Sequence, residues 1–134
     1  GREEQLQLMQ LEPPPSSSPL ISDDQHVHLW VEDTNVLAEW KGDESPPPAF
    51  CITGTCSSVL TVIHSNDTIR NITFYPNRSD VIIFSTENGI FAIELDKRGT
   101  QNFQPLYLGA TPRFVSRDSS LIIYDDESLY RLAL

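Results

Sequence analysis

Two cysteines, three histidines, two Asp-Asp pairs and three Asn-X-Ser/Thr triplets are the groups in this 134-residue chain with the means to do chemistry. Cys51 and Cys56 are the only cysteines and flank Ile52-Thr53-Gly54-Thr55. A bridge across so short a glycine-containing loop is geometrically open, and an even cysteine count suits an oxidising compartment. Two other readings stand beside the disulfide: free buried thiols, and a zinc site that borrows histidines. His26 and His28 fall on one strand face and His64 is the third histidine, but no ligand spacing selects zinc, so no metal residue is assigned. Asp23-Asp24 and Asp125-Asp126 supply paired carboxylates, yet the calcium-loop pattern is missing and acidic pairs on turns are ordinarily solvated. No glycine elbow surrounds any serine, and the six glycines are scattered rather than gathered into a phosphate cradle. The expected catalytic set is therefore empty, and no cofactor is expected. Asn66-Asp67-Thr68, Asn71-Ile72-Thr73 and Asn77-Arg78-Ser79 are possible glycosylation acceptors at Asn66, Asn71 and Asn77, or simply turn and strand residues.

The formal charge of −10 sets up a field that repels phosphate backbones and anionic lipid surfaces. Nucleic acid is excluded as a partner class on that ground. No run approaches the roughly 18 apolar residues of a membrane span, and no signal-peptide core is present. The chain opens on Gly1, which points to a processed product or a piece of a longer chain.

Residues 1–11 mix helix formers with Leu6, Leu8, Met9 and Leu11 without a decisive period. Residues 12–19, EPPPSSSP, are a linker, because proline removes donors and fixes φ. Residues 1–19 thus form an N-terminal arm and Pro/Ser-rich linker, and residues 20–134 the folded domain. Its strands begin near Gln25 and alternate with turns. HVHLWVED and NVLAEWKG form a hairpin, DESPPPAFCITGTC (43–56) is a cysteine-bearing insertion, and SSVLTVIHS is a further strand. Then come IRNITFYP, DVIIFSTE, GIFAIELD across the Asn88-Gly89 turn, NFQPLYLG, TPRFVS, SLIIYDD and SLYRLAL.

These strands repeat. SDVIIFSTENGIFAIEL (79–95) matches SSLIIYDDESLYRLAL (119–134) at a spacing of about forty residues, the period of a β-propeller blade. The match pairs Val81 with Leu121, Ile83 with Ile123 and Phe84 with Tyr124, then slips by one residue at Gly89. The first hairpin matches at a further offset that the insertion accounts for. The expected fold is all-β, built of four-stranded antiparallel blades, as a partial propeller of about two and a half blades. The first blade carries strands two to four, the second all four and the third one to three.

The run IRNITFYPNRSDVIIFSTENGIFAIELDKRGTQNFQPLYLG resembles the last full blade of the WD-like, TolB-like propellers of bacterial PEGA-domain surface proteins. The likeness rests on Tyr75-Pro76-Asn77, Asn88-Gly89-Ile90-Phe91, Glu94-Leu95-Asp96-Lys97-Arg98 and Pro105-Leu106-Tyr107, with WKGD, PPP, Cys51 and Cys56 upstream. It covers residues 25–134 and implies the C-terminal part of an outward-facing, membrane-anchored propeller with no established chemistry.

The function expected from these features is a non-catalytic protein-interaction or scaffold module, extracellular or at the cell surface, with no nucleic-acid partner. The alternative is a self-assembling subunit whose copies complete one another's blades by donating the N-terminal arm. A third reading is a regulatory piece of a hydrolase.

Overall fold

In a computed structural model the structure describes residues 19–52 and 54–134. The arm and linker expected over 1–18 lie outside those residues. Thirteen strands are present among the described residues. β1 (Leu20–Ile21), β2 (Val27–Glu32) and β3 (Asn35–Trp40) precede a short 3-10 turn at Pro48–Phe50. β4 (Cys51–Ile52) and β5 (Thr55–Cys56) pair only with each other as a small side hairpin, and β6 (Val59–His64) returns to pair with β3. The second sheet runs through β7 (Asn71–Phe74), β8 (Val81–Thr86), β9 (Gly89–Glu94) and β10 (Phe103–Leu108). The third holds β11 (Arg113–Arg117), β12 (Ser120–Asp125) and β13 (Ser128–Ala133). The orders β1-β2-β3-β6, β7-β8-β9-β10 and β11-β12-β13, all antiparallel, are those of three propeller blades.

The sheets stack through two cores that share the middle blade. Val27, Leu29, Val31, Val36 and Ala38 of the first blade meet Ile82, Phe84 and Ile93 of the second. The other face of the second blade, through Ile83 and Ile90, meets Phe114, Leu121 and Ile123 of the third. Strand residues alternate between faces, so VIIFST is apolar at adjacent positions because each face of β8 is an interior face. β8 is the strand that binds the fold together.

Three expectations need correction. The first blade does have its first strand: Leu20 pairs with Leu29 and Ile21 with His28, and a two-residue strand is too short to show alternation. The β8–β9 turn is Glu87-Asn88 rather than Asn88-Gly89, since Thr86 pairs with Gly89. Gly89 belongs to the strand because a Cβ there would lie 2.5 Å from the Tyr107 carbonyl oxygen on β10. Finally, β8 and β12 begin 39 residues apart, at Val81 and Ser120, as do β9 and β13 at Gly89 and Ser128. Ile82 and Phe84 therefore correspond to Leu121 and Ile123, and no slip is required. A one-residue register error exchanges the two faces of a strand, as the forty-residue pairing of Ile83 with Ile123 does.

Candidate interaction surfaces

The first strands of the three blades converge on one open cleft. Leu20 and Ile21 of β1, Thr73 and Phe74 of β7 and Ser116 of β11 line about 250 Å³, together with Asp23 and the Tyr75–Arg78 turn. β7 and β11 are direct neighbours. The cleft is the part of the propeller axis that these three blades enclose.

The turns at its mouth are built rigidly. The Ser22 hydroxyl donates to Asp24 Oδ1 at 2.5 Å, the His26 N–H donates to the same oxygen at 3.0 Å, and the Val27 N–H donates to Ser22 Oγ at 3.1 Å. Those donors, the Ser22 hydroxyl first, hold the Asp24 carboxyl below its ordinary pKa. Gln25 and Asn77 take positive φ, 66° and 62°, and close their turns. Arg78 donates through Nε and one terminal nitrogen to both oxygens of Asp80, each at 2.7 Å. This bidentate pair lowers the Asp80 pKa. Asp24 and Arg78 are thus committed to shaping loops rather than free for proton transfer.

The blades are also clamped at their rims. Lys97 and Gln101 from the β9–β10 loop donate to the Thr61 and Val62 carbonyl oxygens of β6, at 3.0 and 3.1 Å. The Tyr107 hydroxyl of the second blade donates to Asp125 Oδ2 of the third at 2.5 Å, and Gly109 leaves room for it, because a Cβ there would collide with that oxygen. The hydrogen bond to Asp125 holds the Tyr107 phenol up at about 12. A group whose folded pKa is raised keeps its stabilising contribution below the unfolded value, near 10 for tyrosine, and loses it as pH climbs through the folded one. Spectrophotometric titration should show one tyrosine ionising near the top of the range, with stability falling between about pH 10 and 12. Tyr107→Phe should remove both signatures.

Cys51 and Cys56 face each other directly in the β4–β5 register, with their sulfurs at disulfide distance, 1.99 Å. The side hairpin hangs from the blade by Trp40 Nε1–H to the Glu44 carbonyl at 2.9 Å and by Phe50, buried in the first core. A closed loop of so few residues contributes less than the about 3 kcal/mol of a fifteen-residue one. Reduction should therefore move the denaturation midpoint only slightly and leave far-UV circular dichroism unchanged.

The remaining sequence candidates are dispersed. His26 packs its ring edge against Trp40 at 5.1 Å, His28 lies on the outward face of the first blade, and His64 Nδ1 bonds to Asn35 Oδ1 at 2.6 Å. Among the described residues no group of three or more His, Cys, Asp and Glu is gathered as a metal site would require. Asp125 is engaged by Tyr107, and Asp126 sits in a turn with φ of 58°. Of the three triplets, Asn66 and Asn77 are exposed, whereas Asn71 is only 5% exposed and accepts the Ser85 hydroxyl in the interior. A glycan on folded Asn71 would have to break that bond and open the blade. The axial cleft and the rim clamps escaped sequence reasoning, because contacts between blades leave no local period.

No protein-family model and no curated protein matches the chain. Among solved structures the chain is similar to the N-terminal domain of Nup159, a β-propeller, with a TM-score of 0.52 and 14% identity over 91% of this chain. It spans 35% of that domain's length. The likeness supports the partial-propeller architecture, while the attribution to bacterial PEGA-domain surface proteins gains no support.

Proposed function

We propose that this chain is a non-catalytic protein-interaction module that engages a protein partner at the mouth of its axial cleft. The convergence of β1, β7 and β11 on that cleft, framed by turns whose charged groups are fixed by local hydrogen bonds, carries the reading. Ligand sites favour such concave places where several elements meet. The pairing of Cys51 with Cys56 supports an extracellular or cell-surface setting. In a glycosylating host, Asn66→Gln should remove glycan mass and Asn71→Gln none.

Proximity labelling from this chain at the cell surface should yield a protein whose purified form binds saturably. Ser116→Trp, which fills the cleft from β11, should weaken that binding at least tenfold, while Arg98→Ala on a distant rim leaves it intact. Binding indifferent to Ser116→Trp, or no saturable binding at all, sinks the reading. A second reading, assembly between copies, is favoured by the outward faces of the two end blades.

A further inference from the structure

The first and third blades each present one sheet face that belongs to neither core, and the two lie at opposite ends of the stack. On the first blade this face carries Trp30 and Leu37, with Glu32 and Glu39 beside them. On the third it carries Val115, Ile122 and Leu129, with Arg117 and Arg131. These faces are continuations of the internal stacking. β2 and β8 begin at Val27 and Val81 and β12 at Ser120, so Trp30 occupies the blade position of Phe84 and Ile123. Both of those are buried against the preceding blade, at 2% and 1% exposure. Ile122 occupies the position of Leu29 and Ile83, both fully buried against the following blade.

The charges differ in sign between the two faces. Glu39 stands where Ile93 and Leu132 stand in the other blades, and Arg131 where Ala38 and Ala92 stand. Among the described residues Glu39 is ion-paired with the exposed Lys41 alone, at 3.4 Å, a contact of little energetic weight. Among the described residues no carboxylate is paired with Arg117 or Arg131. In a chain of net charge −10, Arg117 and Arg131 make a basic patch on the third blade's outward face.

We propose that a second copy of this chain occupies these faces, the glutamate-bearing face of one copy stacking on the arginine-bearing face of the other as successive blades stack within each. This gives content to the assembly reading and rests on it, but uses whole blade faces rather than a donated arm. The contact joins unlike patches, so it either closes a ring or propagates. Two 134-residue chains, with three blades each among the described residues, make six, inside the roughly four-to-eight range in which propellers close. A two-copy ring with each contact made twice is the expected form.

Sedimentation velocity on the 134-residue chain at about 50 mM salt should give twice the chain mass, with association weakened at least tenfold by about 500 mM salt. The double variants Arg117→Glu/Arg131→Glu and Glu32→Arg/Glu39→Arg should each be monomeric, and an equimolar mixture of them should regain the dimer. Deleting residues 1–19 should leave the dimer intact. A monomeric wild-type chain overturns the proposal, as does a dimer insensitive to salt or to both reversals. A dimer lost only on deleting residues 1–19 overturns it in favour of strand donation. Should either double variant fail to fold, the salt dependence of the wild-type chain decides. Partner binding that survives in a monomeric wild-type chain leaves the cleft reading standing while this one fails.

Discussion

Phe84→Ala should lower the unfolding free energy by about 3–5 kcal/mol, the range for emptying a buried aromatic site. Phe84 lies at 2% exposure where the first and second blades meet, with Phe91 at 5.5 Å and Phe103 at 6.2 Å between ring centroids. Its strand has neighbours on both faces, so relaxation into the space is opposed from two directions and the site collapses poorly. Urea denaturation followed by tryptophan fluorescence provides the measure, since both tryptophans lie in the first blade. A loss under about 1 kcal/mol would mean that the aromatic cluster is not a packed core. Phe103, stacked on Phe91 at 5.3 Å, is 47% exposed, so Phe103→Ala should cost much less.

Ile123→Ala should act differently, by loosening one blade rather than the whole. The second core holds fewer fully buried side chains than the first, and Ile123 is one of them at 1% exposure. The expected loss is about 2–5 kcal/mol for that blade's attachment. Hydrogen exchange should rise across Arg113–Ala133 while Val27–His64 stays protected, the pattern of sub-global opening. Uniform loss of protection over all three blades would show instead that the chain unfolds only as one unit. Combining Ile123→Ala with Tyr107→Phe should give a non-additive effect, since both act on the contact between the second and third blades.

Much of this architecture is legible in the amino-acid sequence. Alternation of apolar residues marks β2, β3 and β6, and turn residues at positive φ mark connections, Asp33 between β2 and β3 and Asn77 between β7 and β8. The repeat reveals the blade. What alternation cannot supply is register in β8, where VIIFST is apolar on both faces, so two alignments one residue apart look equally good. Only the assignment of Phe84 to one core and Ile83 to the other separates them. The Asn88-Gly89 dipeptide misleads for a related reason: the glycine there serves a close approach by Tyr107, a contact with β10 that no local pattern records. The axial cleft is invisible for the same cause, because it arises only when three strands far apart in the chain meet.

The side hairpin has a practical meaning for anyone wishing to display something on this protein. The β3–β6 ladder continues to the Trp40 N–H bond with the Ser58 carbonyl at 2.8 Å, and the Ser57 N–H to Phe50 carbonyl bond at 3.0 Å closes the neck above it. Everything beyond that neck is excess to the blade. Gly54 at the tip has a positive φ of 78°, and among the described residues none beyond its chain neighbours comes within 4 Å of the place where a Cβ would sit. The tip is a natural grafting port: a tag or epitope inserted there would project into solvent while the ladder beneath it stayed paired.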